Sequence, residues 1–253
     1  MKLEIINLSI RFGGVAALNN VSMTLNKGEI VGLIGPNGSG KSTLFNIITG
    51  FYRANEGDFY IDGKKLTKMR PHEITDCGIT RTFQNLNLFK SMTVLENILV
   101  GLHCRTSVGI RHFILNPLKV QKEEASSRQI AIGVLKELNL DRNLNELARN
   151  LPYGIQKRLE IARALVMNPH FILLDEPAAG LNINETKELQ EIIKHIVKKG
   201  IAVLLVEHNM RLVMNSCTRI IVLNNGVKIA EGLPAEISNN QTVIEAYLGK
   251  RRQ

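Results

Sequence analysis

The chain has 253 residues, of which 44% are hydrophobic and 5% aromatic, and its formal net charge is +9. This length and apolar content allow a sizeable core, built as one large domain or as one domain with an inserted subdomain. The charge suits an anionic membrane surface or nucleotide phosphates, whereas the scarcity of rings for base stacking argues against nucleic acid, so we expect no such partner. No apolar run approaches the roughly 20 residues that cross a bilayer, and Met1–Ile5 lacks the apolar core of a secretory signal, which predicts an intracellular protein.

Strands are predicted at the beginning of the chain. Residues 1–30 contain short apolar runs separated by Gly13-Gly14 and Lys27-Gly28, a pattern typical of strands joined by turns. Phe12 ends one of these strands. Glu29–Ile34 then has the length and apolar character of another strand, and it leads directly into a glycine-rich loop.

This loop fits the P-loop pattern, with four free positions between its first and last glycine, followed by lysine and serine. The glycines let successive backbone N–H groups point at anionic oxygens, and the apolar helix predicted after the loop adds the positive end of its dipole. In such a loop the lysine neutralises the β- and γ-phosphates, and the serine hydroxyl binds Mg²⁺. The residues of the loop are Gly35, Pro36, Asn37, Gly38, Ser39, Gly40, Lys41, Ser42 and Thr43.

A mostly helical block then interrupts the alternation of strands and helices. It follows a β-rich run that ends beside Gln84, and it begins with a capping box of Thr93 and Glu96 ahead of an apolar helical stripe. Residues 103–120 are irregular and basic. A second helix is predicted over 121–139, with one apolar face made of Ile130, Val134, Leu135 and Leu138. Such a block predicts a helical subdomain inserted into an α/β core.

Charged side chains follow two predicted buried strands. Phe171–Leu174 is an unbroken apolar run, typical of a strand buried on both faces of a parallel sheet, and it ends at Asp175 and Glu176. One of these carboxylates can hold Mg²⁺ through water, and the other can orient a nucleophilic water. A second buried strand, 201–206, leads to His208 in the equivalent position. Since α/β sheets place their sites at the carboxyl ends of strands, these side chains are predicted to share one site with the P-loop.

The remaining elements continue the alternation. Helices are predicted from Ile155 to Val166 and from Glu185 to Lys198, on either side of the first buried strand. A hairpin is predicted over 219–230, turning at Asn225-Gly226, and a short helix closes the chain before Gly249.

These motifs resemble, in order and spacing, the ATP-binding cassette of ABC transporters, and the resemblance covers nearly the whole chain. It implies an α/β fold, a P-loop NTPase with a RecA-like core, an N-terminal antiparallel β subdomain and an inserted helical subdomain. It also implies a single ABC ATP-binding domain over 1–253, divided into a core with the β subdomain (1–90 and 155–230), the helical insertion (91–154) and a C-terminal helical extension (231–253).

The resemblance assigns the nucleotide contacts. Phe12 is similar to the aromatic residue that stacks on adenine, and Gly35–Thr43 is similar to the Walker A loop that binds ATP. Gln84 resembles the Q-loop residue that reaches Mg²⁺ and the attacking water and senses the membrane partner. The implied cofactors are ATP and Mg²⁺, with Mg²⁺ bound by Ser42, Gln84 and Asp175.

The resemblance likewise assigns the chemistry, which is hydrolysis of ATP to ADP and phosphate, coupled to transport. Asp175 is similar to the Walker B aspartate, Glu176 to the catalytic glutamate that positions water, and His208 to the switch histidine that contacts the γ-phosphate. The implied catalytic residues are Glu176, His208 and Lys41.

Two departures from the family pattern stand out. Where the family usually has Leu-Ser-Gly-Gly-Gln, which contacts the ATP of a second subunit, this chain has Leu151-Pro152-Tyr153-Gly154-Ile155. The serine hydroxyl is missing, but the helix N-terminus behind Gly154 still offers N–H groups, so we expect contact in trans through Leu151, Pro152, Tyr153 and Gly154 to be retained in weakened form. The second departure is Asn182, where the family usually has aspartate.

Other strings narrow the resemblance. Arg81–Gln84, Leu151–Gly154, Asp175–Asn182, the ending Ala246–Gly249 and the basic insertion at 103–120 resemble the LivG-type ATPases of branched-chain amino acid importers. Related cassettes serve urea or amide importers and a lipopolysaccharide exporter, and others are soluble ATPases without a permease or regulatory modules that barely hydrolyse ATP. These alternatives stay open.

The resemblance also implies partners and a location. We expect transmembrane permease subunits, a homo- or heterodimer with a second ABC ATPase, and, indirectly, a substrate-binding protein. The chain would be peripheral, on the cytoplasmic face of the (inner) membrane. The transported molecule and the direction of transport are not encoded in these motifs, because a cassette does not touch its cargo.

Overall fold

The computed structural model describes residues 1–103 and 117–248, without the side chains of His103 and 117–121. Most of the predicted basic insertion and Gly249 therefore lie outside the described residues. The strands are β1 (Lys2–Phe12), β2 (Val15–Asn26), β3 (Ile30–Ile34), β4 (Glu56–Ile61), β5 (Lys64–Lys65), β6 (Ile79–Arg81), β7 (Phe171–Asp175), β8 (Ala202–Val206), β9 (Arg219–Asn224) and β10 (Val227–Gly232). The helices are α1 (Lys41–Ile48), α2 (Pro71–Asp76), α3 (Val94–His103), α4 (Pro117–Glu137), α5 (Tyr153–Leu165), α6 (Ile183–Lys198), α7 (Met210–Ser216), α8 (Pro234–Ser238) and α9 (Gln241–Leu248).

Two sheets organise these elements. A six-stranded sheet has the order β10-β9-β3-β8-β7-β6, in which only the edge strand β10 runs antiparallel to its neighbour. A four-stranded antiparallel sheet has the order β2-β1-β4-β5. Every residue of β3, β7 and β8 is buried, as the unbroken apolar runs predict for strands covered on both faces.

The two faces of the parallel sheet belong to two hydrophobic clusters, because successive side chains of a strand point to opposite sides. On one side Leu173, Leu204 and Leu33 pack with α1 and the inner face of the antiparallel sheet. On the other side Ile172 and Leu205 pack with α3 to α7. Helix α1 therefore lies between the two sheets. No helix in the described ranges is both long enough and apolar enough to cross a bilayer.

Three predicted elements are corrected in detail. Strand β6 ends at Arg81, two residues before the predicted end. Ile130 was expected on the inner face of α4, but it is 49% exposed. The buried face instead follows the helical spacing of Ala131 and Leu135, continued by Leu138 just after the end of α4, and Ile130 falls one residue outside this stripe. Helix α6 starts at Ile183, two residues earlier than predicted, because Asn182 caps it.

Arg219, at the start of β9, connects both sheets. Its guanidinium donates hydrogen bonds to Glu29 (Nε to Oε1, 2.8 Å) and to the carbonyl oxygen of Thr24 (2.7 Å), and it pairs with Glu231. Burial by itself raises the pKa of the Glu29 carboxyl, but Arg219 and the backbone N–H of Asn26 outweigh burial and hold the pKa below its usual value.

We expect Arg219→Gln to lower the free energy of unfolding by about 2 kcal/mol near neutral pH, the usual loss for hydrogen bonds to a charged group. A carboxyl with a lowered folded-state pKa stabilises the fold above its unfolded pKa, and this stabilisation is lost as the pH falls through the folded pKa. The difference in the free energy of unfolding between wild type and variant should therefore shrink once the pH falls below 4.5, the ordinary pKa of Glu29. Urea unfolding at neutral and acidic pH measures both differences; equal values would contradict the expectation.

Candidate active site

The predicted site residues meet at one edge of the parallel sheet. Strands β3, β6, β7 and β8 are parallel, so their carboxyl ends share this edge, where open α/β sheets bind ligands. The P-loop follows β3, the loop with Gln84 follows β6, Glu176 follows β7, and His208 comes two residues after the end of β8.

The P-loop is held tightly around its own lysine. A Cβ atom on Gly35 would lie 2.0 Å from the carbonyl oxygen of Leu223 on β9, so only glycine fits there. Lys41, the first residue of α1, donates from Nζ to the carbonyl oxygens of Gly35 (2.7 Å) and Pro36 (3.0 Å). Burial lowers the pKa of Lys41, while the charges of Glu176 and Asp175 oppose that shift. The loop thus has the curled backbone and the nearby cation that phosphate binding needs.

Asp175 ends β7 and is only 5% exposed. Its Oδ2 accepts a hydrogen bond of 2.7 Å from Nη2 of Arg81, and Nη1 of Arg81 reaches Oδ1 of Asn46 on α1 at 2.6 Å. The Arg81 guanidinium also lies 5.3 Å and 5.1 Å from the ring centroids of Phe45 and Phe83. The sequence predicts no role in the site for Arg81, although an arginine at the end of a short β-strand directly before the Gln84 loop is the signal that could have identified it.

Glu176 brings the other predicted catalytic side chains together. Its carboxylate Oε2 accepts a hydrogen bond of 3.0 Å from Nε2 of Gln84 and lies 3.7 Å from Nδ1 of His208. The backbone of Glu176 is left-handed, with φ of 47°, and its N–H donates to the carbonyl oxygen of Val206 at 2.9 Å. A left-handed non-glycine residue is strained, and such residues concentrate at functional sites.

Helix α5 holds the loop that carries Gln84. Lys157 donates from Nζ to the Gln84 carbonyl oxygen at 3.3 Å, and Oε1 of Glu160 accepts from the Phe83 N–H at 3.3 Å. Both α5 side chains are buried. Burial raises the pKa of Glu160, against the lowering effect of its backbone donors and of Lys157. Two hydrogen bonds therefore fix the Gln84 loop to helix α5.

Among the described residues, no hydrogen bond joins the segment Leu151–Gly154 to Glu176, Gln84 or His208, although the Tyr153 ring centroid lies 5.8 Å from Nζ of Lys157. A Cβ on Gly154 would lie 2.4 Å from Oε1 of Glu185, and one on Gly180 would lie 2.9 Å from the Tyr153 ring. The segment thus packs against the loop before α6 and the first turn of that helix. Asn182 caps the same helix, because its Oδ1 accepts from the N–H groups of Asn184 (2.9 Å) and Glu185 (3.0 Å).

The last predicted contact, Phe12, ends β1 and is 47% exposed. Its ring packs edge-on against Tyr52, with ring centroids 5.2 Å apart. An exposed aromatic ring of this kind offers a face for stacking on a nucleobase.

Comparison with known proteins identifies this arrangement. A family model described as "ABC transporter" matches residues 18–179, and a model described as "Branched-chain amino acid ATP-binding cassette transporter" matches residues 227–252. The chain is 44% identical over 249 residues, 98% of both chains, to the high-affinity branched-chain amino acid transport ATP-binding protein LivG of Salmonella typhimurium, and 43% identical over the same length to LivG of Escherichia coli K12.

Comparison with solved structures indicates the same family. An ATP-binding cassette of an ABC transporter in its ADP conformation covers 99% of this chain and is covered in full, with 37% identity and a TM-score of 0.86. A dimeric bacterial ABC transporter cassette covers 92% of this chain, is itself covered to 98%, and has 30% identity and a TM-score of 0.77. The predicted α/β P-loop fold and the predicted resemblance are confirmed, and the chain belongs to the ABC transporter family as an ATP-binding cassette.

Proposed function

We propose that this chain is the ATPase subunit that energises import of branched-chain amino acids from the cytoplasmic face of the (inner) membrane. The cargo is supported by the relatives named for branched-chain amino acid transport, which align over 98% of the chain. The match of residues 227–252 to the model described as a branched-chain amino acid cassette supports it independently.

The observation that carries the ATPase assignment is the contact of Glu176 with Gln84 at 3.0 Å and its approach to His208 at 3.7 Å. A carboxylate at this point can orient water for attack on a phosphate held by the P-loop, while Lys41 and backbone N–H groups stabilise the developing charge. Ser42, Gln84 and Asp175 offer hydroxyl, amide and carboxylate oxygens, which suit Mg²⁺. When bound, this ion neutralises phosphate charge.

ATP would be shared between two cassettes. We propose that one chain binds it through the P-loop and Phe12, and that the partner cassette supplies the counterpart of Leu151–Gly154. Pro152 and Tyr153 are exposed, and the start of α5 presents N–H groups for an anion. The dimeric cassette among the similar structures supports this arrangement.

An importer of this kind needs further partners. We propose two transmembrane permeases, a second cassette that is either identical or similar, and, indirectly, a binding protein that delivers the amino acid.

We also propose the division of the chain into a core with the β subdomain (1–90 and 155–230), a helical insertion (91–154) and a C-terminal extension (231–253).

Affinity capture of the chain from its native membranes, with the bound proteins identified by mass, tests this proposal. We expect two polytopic permeases and a second, shorter ATPase. Loss of labelled leucine, isoleucine and valine uptake in a deletion strain would support the cargo. A urea, amide or lipopolysaccharide defect instead would contradict the cargo, and recovery of only soluble partners or nucleic acid would contradict transport altogether.

A groove beside the Gln84 loop is the proposed docking site for the permease. It has a volume of about 310 Å³ and is lined by the rings of Phe51, Phe83 and Phe89, among others. Oγ1 of Thr80 and Nε of Arg81, whose residues also line it, are buried and have no hydrogen-bond partner among the described residues. Buried polar groups of this kind call for water or an incoming partner.

We expect Phe51→Asp to reduce recovery of the permeases by about tenfold or more, because an exposed aromatic residue in a groove is a typical anchor and a charge there must be desolvated. Phe51 is 55% exposed, so the fold should tolerate the change. The matched control is Leu233→Asp, an exposed apolar residue (57%) that does not line the groove. Equal recovery for both variants would contradict docking in this groove.

A further inference from the structure

Glu207 is a buried carboxylate beside the active site that none of the roles above uses. It follows β8 directly and is only 2% exposed. Its Oε1 accepts a hydrogen bond of 2.7 Å from the backbone N–H of Ala178. Its Oε2 accepts from the backbone N–H groups of His208 (3.2 Å) and Asn209 (3.3 Å). One side chain therefore connects two loops that are separate in sequence.

Burial of this carboxylate is compensated by backbone groups. Burial raises the pKa of Glu207, and the N–H groups of Ala178, Asn209 and His208 lower it again in part. A carboxylate is costly to bury unless several donors satisfy it, and these donors lie on both loops. The side chain can stay in place only while the two loops keep their separation.

The first loop carries Glu176. Its turn is fixed by hydrogen bonds from the Glu176 N–H to the Val206 carbonyl oxygen (2.9 Å) and from the Ala179 N–H to the Glu176 carbonyl oxygen (3.1 Å). Ala178, which Glu207 holds, lies inside this turn. A left-handed residue such as Glu176 keeps its conformation only where the surroundings enforce it, and the bond to Ala178 is one of these constraints.

The second loop carries His208. Asn209 is the N-cap of α7, and its Oδ1 accepts from the Leu212 N–H at 3.3 Å. Glu207 thus accepts hydrogen bonds from the backbone of His208 and Asn209, immediately before that helix begins.

We propose that Glu207 is a positioning residue that keeps Glu176 and His208 at their working separation by joining the two loops. The inference rests on the proposed ATP hydrolysis and adds a residue that acts through the backbone N–H groups of the two loops. Because both carboxylate oxygens of Glu207 accept hydrogen bonds, we expect the isosteric substitution Glu207→Gln to disturb the two loops. Glutamine has one acceptor oxygen in place of two, so its NH₂ group must face either the Ala178 donor or the donors of His208 and Asn209.

The test is Glu207→Gln in the purified full chain, measured by phosphate release, by binding of a non-hydrolysable ATP analogue and by thermal unfolding. We expect kcat to fall about 10- to 100-fold, since small displacements of catalytic groups have effects of this size. The KM and the dissociation constant of the analogue should change by less than about threefold, because the P-loop is untouched.

Glu29→Gln is the matched control. Glu29 is a partly buried glutamate, with its side chain 17% exposed and paired with Arg219, and it precedes β3 at the end of the strand opposite the P-loop. We expect this variant to lose stability while kcat stays within about twofold of wild type. Unchanged kcat in Glu207→Gln, or a loss of kcat no larger than in Glu29→Gln at matched stability, would overturn the positioning role. Absence of hydrolysis in the wild type would instead overturn the proposed function.

Discussion

Glu176→Gln is expected to leave ATP binding intact and to lower turnover by about 100- to 10,000-fold, the range over which a positioned general base acts. In the wild type, Nε2 of Gln84 donates to Oε2 of Glu176 at 3.0 Å. The carboxamide oxygen of the variant can still accept this hydrogen bond, so the geometry of the site should persist. The amide cannot take a proton from water or carry the charge that polarises it. Phosphate release and binding of an ATP analogue measure the two expectations separately.

The same variant should accumulate an ATP-bound dimer. If hydrolysis opens the dimer, a chain that binds ATP without cleaving it should elute as a dimer in the presence of ATP and Mg²⁺. Glu191→Gln, on the exposed face of α6 with its side chain 72% exposed, is the control and should behave as wild type. Wild-type turnover in Glu176→Gln would contradict the catalytic assignment.

Arg81→Leu is expected to lower the free energy of unfolding by about 3–5 kcal/mol, the usual cost of leaving one member of a buried ion pair without its partner. The side chains of Arg81 and Asp175 are only 9% and 6% exposed, and Nη2 and Oδ2 lie 2.7 Å apart. The substitution also removes the hydrogen bond to Asn46. Urea unfolding of the chain measures the loss.

A surface pair provides the contrast. Lys65 and Asp58 lie at the same 2.7 Å distance, but their side chains are 52% and 31% exposed. Lys65→Leu should therefore lower the free energy of unfolding far less than Arg81→Leu does. In the Arg81→Leu background, Asp175→Asn should recover part of the stability, because it removes the unpaired buried charge. A loss in Arg81→Leu as small as that in Lys65→Leu would contradict the structural role of the pair.

Local patterns account for the correct predictions. The P-loop lies between a strand and a helix because the flanking apolar runs and the glycines act within a few residues of one another. The capping box was predicted for the same reason, and Oε2 of Glu96 does accept from the Thr93 N–H at 2.7 Å while the Glu96 N–H donates to the Thr93 hydroxyl at 3.2 Å. Asp175 and His208 could be placed on one sheet edge because their strands are unbroken apolar runs.

The missed features depend on contacts across the chain. Arg81 and Asp175 are 94 residues apart, and Glu207 and Ala178 are 29 apart; no local periodicity relates either pair. Ile130 shows the same limit at a helix surface. An apolar side chain such as isoleucine predicts burial, but the elements packed against α4 decide which face of the helix is covered.

The sequence by itself determined the fold class, the P-loop and the order in which the predicted catalytic side chains follow their strands, because each depends on short-range patterns of apolar residues, glycines and charges. Only the tertiary structure decided which partner each buried charge has: Arg81 for Asp175, the Gln84 loop for Lys157 and Glu160, and two backbone turns for Glu207. The physical reason is that a buried charge must be compensated wherever folding places it, and the compensating groups come from strands and loops brought together by the sheet.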